Sequence, residues 1–141
     1  AVPTLDFSLP PNYGSLALTS GFAPDPYLVG GITSGGSIDV SYLGGGCVGF
    51  ATEAPDLSVH FTPGAWNFLR FYFVGNGDAA LVINSPNGSY YCVDDSFGTT
   101  WPTIDFYNPE VGRYDIWVTS YAPGTYLNGT LYITESETNH P

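Results

Sequence analysis

The chain has 141 residues, with 13 acidic side chains against 2 basic ones and a formal net charge of −11. It holds no lysine at all, so it cannot neutralise a phosphate backbone, and nucleic-acid binding is set aside. Anionic membrane surfaces are disfavoured for the same reason, and no apolar run approaches the ~20 residues of a membrane-spanning helix.

The length suits one domain with a substantial core. The start, Ala1-Val2-Pro3, reads as a mature N-terminus left by signal-peptide removal. Residues 1–20 are rich in Pro, Leu and Ser without a steady period. They predict an extended N-terminal arm with one strand near 16–19. In Gly21-Phe22-Ala23-Pro24-Asp25-Pro26, two prolines restrict φ on either side of Asp25, which makes a stiff turn. A strand is expected over 27–32, interrupted by Gly30-Gly31 as at a bulge. Residues 37–42 alternate, with Ile38, Val40 and Tyr42 on one face and Asp39 and Ser41 on the other. Gly44-Gly45-Gly46 breaks that run before Cys47-Val48-Gly49-Phe50. The segment 57–61 has strand period: Leu57, Val59 and Phe61 face inward, Ser58 and His60 outward. A longer strand follows over 66–74, with Leu69, Phe71 and Phe73 on one face and Arg70 and Tyr72 on the other.

The stretch 77–95 predicts a β-hairpin. Leu81-Val82-Ile83 is apolar and β-branched, which suits a buried strand. Pro86-Asn87-Gly88 has turn chemistry, and Tyr90-Tyr91-Cys92-Val93 returns. Pairing across that turn brings Asp78 toward Asp94 and Asp95. Two carboxylates ~4 Å apart repel by roughly 4 kcal/mol at an effective dielectric of ~20. Such a group splays into water, takes up protons or shares a cation, and hard oxygen ligands favour Ca2+. The alternating acids and closing Glu of an EF-hand loop are missing. A solvated, Asp-rich loop stands as the plainer alternative.

Beyond the hairpin, strands are expected over 103–106, 113–119 and 129–135, with 136–141 as a C-terminal tail. Nothing carries helical periodicity beyond a single turn. Short strands at regular spacing, punctuated by Gly and Pro, predict an all-β fold: a single-domain antiparallel β-sandwich or jelly roll. Cys47 and Cys92 fall on separate predicted strands. In an exported protein they would form a disulfide, and in a reducing compartment two buried thiols. No CxxC spacing supports a cysteine metal site.

Several stretches together resemble bacterial pre-peptidase C-terminal (PPC) domains over residues 21–135. They are Gly21-Phe22-Ala23-Pro24-Asp25-Pro26, Cys47-Val48-Gly49-Phe50, Ala54-Pro55-Asp56, the hairpin from Gly77-Asp78 to Cys92-Val93-Asp94-Asp95, and Gly112-Arg113-Tyr114-Asp115-Ile116-Trp117-Val118. The resemblance implies a secreted or periplasmic β-sandwich, non-enzymatic, some of whose relatives bind Ca2+ at loop carboxylates. Asp78, Asp94 and Asp95 then stand as the metal ligands, with Asp25, Asp56 and Asp105 as secondary candidates. The expected partners are a divalent cation and a polysaccharide or another exported protein, and the expected role is stabilising, adhesive or tied to secretion.

Other classes compete with this reading. A Ser/His/Asp hydrolase would have only His60 and His140 to draw on and lacks a Gly-x-Ser-x-Gly elbow. A glycosidase would need two carboxylates flanking a sugar, which neighbours such as Asp94 and Asp95 cannot do. The aromatic residues Trp66, Trp101, Trp117, Tyr90, Tyr91, Tyr121 and Tyr126 support the alternative of a carbohydrate-binding module, provided that they lie on the surface.

Overall fold

The structure is a computed structural model that describes residues 3–94 and 101–141. Two sheets pack face to face. The strands are β1 (Ser15–Thr19), β2 (Tyr27–Thr33), β3 (Ile38–Asp39), β4 (Phe50–Ala51), β5 (Leu57–Thr62) and β6 (Phe68–Gly75). After these come β7 (Ala79–Asn84), β8 (Tyr90–Val93), β9 (Thr103–Tyr107), β10 (Gly112–Ser120) and β11 (Asn128–Thr134). The smaller sheet runs β2-β11-β6-β9. In the larger sheet, β10 is central. One edge of β10 pairs with β5 and, further along, with β4; the other pairs with β7, which carries β8. The fold is the all-β sandwich expected. Among the described residues the strands pair antiparallel except for β1, which lies parallel to β5.

The core forms where the period-2 patterns point inward. Leu57, Val59, Phe61, Leu81, Ile83, Tyr114, Ile116 and Val118 of the larger sheet meet Ile32, Leu69, Phe71, Phe73, Leu131 and Ile133 of the smaller one. Phe71 and Phe106 meet edge-on with centroids 5.9 Å apart, and Phe61 approaches Tyr114 in the same way.

The outer face of the larger sheet is covered as well. On the larger sheet, Val82 and Trp117 pack under Leu5, Ile38, Val40, Cys47 and Ala51 as a second apolar cluster. The unbroken apolar run Leu81-Val82-Ile83 therefore belongs to a strand buried on both sides. The N-terminal arm is tied down by Asp6 N–H to the Glu53 carbonyl (2.9 Å), Asn12 N–H to that of Pro55 (2.8 Å) and Tyr13 N–H to that of Asp56 (2.8 Å). Arg113 Nη2 adds a bond to the Phe7 carbonyl at 2.7 Å. Beneath the arm, Ser58 is buried and donates to Asp115 at 2.6 Å, although its place in the alternation had put it outward. His60, on the same face, is exposed as expected.

Two local expectations change. The alternating run 37–42 is a strand only at Ile38–Asp39 and then winds into a short 3-10 helix, Val40–Leu43. Asp39 accepts the Ser41 N–H at 2.9 Å, the local side-chain bond by which Asp competes with a sheet ladder. Cys47 accordingly sits in the loop after that helix rather than on a strand. It forms a disulfide with Cys92 of β8, with Cα atoms 5.0 Å apart, within the normal range for a bridge.

Candidate functional site

A groove of about 440 Å3 is lined by Gly21, Phe22, Asp25, Trp66, Glu135, Ser136 and Glu137. Three segments far apart in sequence build it. The first is the stiff turn after β1. Gly21 has φ 87°, a left-handed value that suits glycine. Its N–H donates to Glu135 Oε1 at 2.6 Å. The second is the end of β11, where Thr134 Oγ1 donates to Asp25 Oδ1 and the Glu135 N–H donates to Asp25 Oδ2 at 3.1 Å. The third is the turn before β6. A Cβ on Gly64 would lie 2.8 Å from the Ser20 Cβ, so glycine lets this turn close against the residue preceding Gly21. Trp66 stands two residues further on with 59% of its surface exposed.

The groove is therefore part aromatic and part anionic. Glu135 is only 8% exposed, and its Oε2 accepts no hydrogen bond among the described residues. Asp25 and Glu137 are exposed at the rim. Close by, Arg70 of β6 lies on the face opposite Leu69, Phe71 and Phe73, as the alternation has it, and is buried there at 4% exposure. Residues 136–141 lie over that face: Arg70 Nη1 donates to the carbonyls of Glu137 (3.0 Å) and Asn139 (2.9 Å). Arg70 also grips Asp105 through Nε–Oδ1 at 2.7 Å and Nη2–Oδ2 at 2.9 Å. That two-pronged bond raises the guanidinium pKa further above its ordinary value, against the pull of burial.

The six aspartates named as metal candidates do not share one place. Asp25 lines the groove. Asp105 is held by Arg70. Asp56 lies between β5 and β10, 2% exposed, accepting the Val118 N–H at 2.8 Å and Asn12 Nδ2 at 3.1 Å. Burial pushes its carboxyl up to about 7, against those two bonds, which pull it down. The hairpin register, with Leu81 opposite Val93, brings the chain on either side of Asp78 and Asp94 to the same open end. Asp94 Oδ1 accepts the Tyr121 hydroxyl. Asp95 lies outside the described residues. Among the described residues no group of three or more His, Cys, Asp or Glu is arranged to hold a metal ion.

The aromatic candidates divide as well. Trp117 is 0% exposed and belongs to the outer core of the larger sheet, with Tyr90 tilted against it at 6.0 Å. Trp101 Nε1 donates to the Gly75 carbonyl at 3.1 Å. Tyr91, Tyr121 and Tyr126 are exposed, but of the aromatic residues singled out in the sequence only Trp66 lines the groove. Sequence reasoning did not reach Phe22, Glu135 or Glu137 as site residues. The pair Glu135 and Glu137 at the end of the last strand was visible, but its meeting with Gly21 spans 114 positions and has no local signature. No protein-family model matches the chain, and no curated protein matches it. Among the described residues no helix is long and apolar enough to cross a membrane.

Proposed function

We propose that this protein is a non-catalytic, exported carbohydrate-binding module that takes its ligand in the groove beside Trp66. One observation carries the reading: a large exposed indole stands in a concavity whose other side chains are Phe22, Ser136 and three carboxylates. An exposed ring offers a face on which a sugar can stack, and carboxylates accept the hydroxyl protons around the sugar's rim. Internal donors hold Asp25 and Glu135, which suits fixed recognition groups. The disulfide supports export, since such bonds persist in oxidising compartments. Affinity electrophoresis in gels containing soluble polysaccharides tests the proposal. The wild type should be retarded by at least one glycan and Trp66→Ala by none; retardation that survives Trp66→Ala would remove the groove from the argument.

A second reading is supported by the hairpin. Its register brings Asp78 and Asp94 to one end, next in sequence to Asp95, where a PPC-type module would hold Ca2+. A ligand that binds only the folded state at 100 times its Kd stabilises it by about 2.7 kcal/mol. Calcium should then raise the melting temperature by several degrees and EDTA should reverse the rise. Superimposable melting curves would end this reading and leave the groove untouched.

A further inference from the structure

We propose that the groove selects a saccharide carrying primary ammonium groups, an oligomer of glucosamine type, over the neutral N-acetylated oligomer. This rests on reading the groove as a saccharide site and names its ligand class. The lining carries Asp25, Glu135 and Glu137 and no lysine or arginine. Arg70, which lies close by, is buried and committed to Asp105 and to two carbonyls. The three carboxylates therefore leave the groove with net negative charge beside an aromatic wall, which Arg70 offsets only in part, at Glu137.

Glu135 strengthens the inference. The residue is more than nine-tenths buried, and its Oε2 is held away from water with no donor among the described residues. Its charge is held at the groove wall, and an ammonium group in the groove brings the opposite charge and three donors, for the exposed carboxylates of Asp25 and Glu137. Trp66 and Phe22 add ring faces, which attract a cation through their quadrupoles. An N-acetyl group would bring bulk and one amide donor without the charge, and a uronic acid would be repelled by the carboxylates. A bare divalent ion fits less well, because these carboxylates do not form a metal-holding group.

The test is calorimetric titration of the full chain at about pH 6 in low salt, where charge pairs are least screened. The ligands are tetramers of glucosamine, N-acetylglucosamine and galacturonic acid, with a lysine-rich peptide of equal charge alongside. The glucosamine tetramer should bind about tenfold more tightly than the N-acetylated one, as expected for roughly one added partly buried charge pair. Galacturonate should not bind. Glu137→Gln, at an exposed position, should cut the ratio of the two affinities severalfold, as should Asp25→Asn provided that its melting curve stays cooperative. Equal affinity for the two tetramers would overturn charge selection and leave the saccharide reading standing. Binding of no saccharide would overturn both. A lysine-rich peptide binding as tightly as the glucosamine tetramer would show that the sugar itself is not recognised and would overturn the proposed ligand.

Discussion

Asp56→Asn should change the pH profile of stability in a way that can be worked out beforehand. Burial between β5 and β10 pushes the folded-state carboxyl up to about 7, whereas the unfolded chain releases that proton near ~3.9. Between those values the folded state binds more protons than the unfolded one, so stability falls as pH rises. The contribution is full below about pH 4 and is lost by the time pH has passed through about 7. At ~1.4 kcal/mol per unit over roughly three units, the loss is on the order of 4 kcal/mol. Asparagine keeps the shape and can accept the Val118 N–H without carrying a charge, so this component vanishes in the variant. Urea midpoints for both proteins from about pH 4 to about pH 8 make the measurement, since the repulsion among the remaining acids is common to both. Asp56→Asn should be the less stable or equal partner at the acid end and the more stable one at the alkaline end. Parallel profiles, with a constant difference between them, would refute the reasoning and show that Asp56 ionises in place.

Reducing the Cys47–Cys92 bridge, which closes a separation of 45 residues, should lower stability by ~4 kcal/mol in the chain-entropy model, read as a fall in urea midpoint with a phosphine reductant. Trp117→Ala should cost about 3–5 kcal/mol because it empties the centre of the outer apolar cluster, whereas Trp66→Ala should stay within about 0.5 kcal/mol; comparable losses would mean that the two environments are misjudged. Asp105→Asn should destabilise by about 3 kcal/mol or more by leaving the Arg70 guanidinium buried without its counter-charge, and Arg70→Met combined with Asp105→Leu should recover much of the loss. A double variant as unstable as Asp105→Asn would mean that the pair is more than a locally compensated charge.

Much of the sandwich was legible in the chain itself. Period-2 runs such as Leu57-x-Val59-x-Phe61 mark one face as apolar whatever lies beyond, and Pro86-Asn87-Gly88 closes its hairpin through φ preferences that belong to those residues. The cysteines and the missing lysines are likewise matters of composition. What periodicity cannot tell is whether the opposite face is wet. Ser58, Arg70 and Trp117 sit on faces that alternation leaves open, and all three are buried because the arm, residues 38–51 and the last residues of the chain lie across them. Those coverings are held by backbone carbonyls accepting from backbone N–H groups and from the two arginines, and a carbonyl is something that every residue can supply and no pattern announces. The groove has the same origin: a glycine N–H, an indole and the carboxylates after the last strand meet only after both sheets have closed. Local chemistry chose the strands, and long-range contacts chose which surface was left to bind.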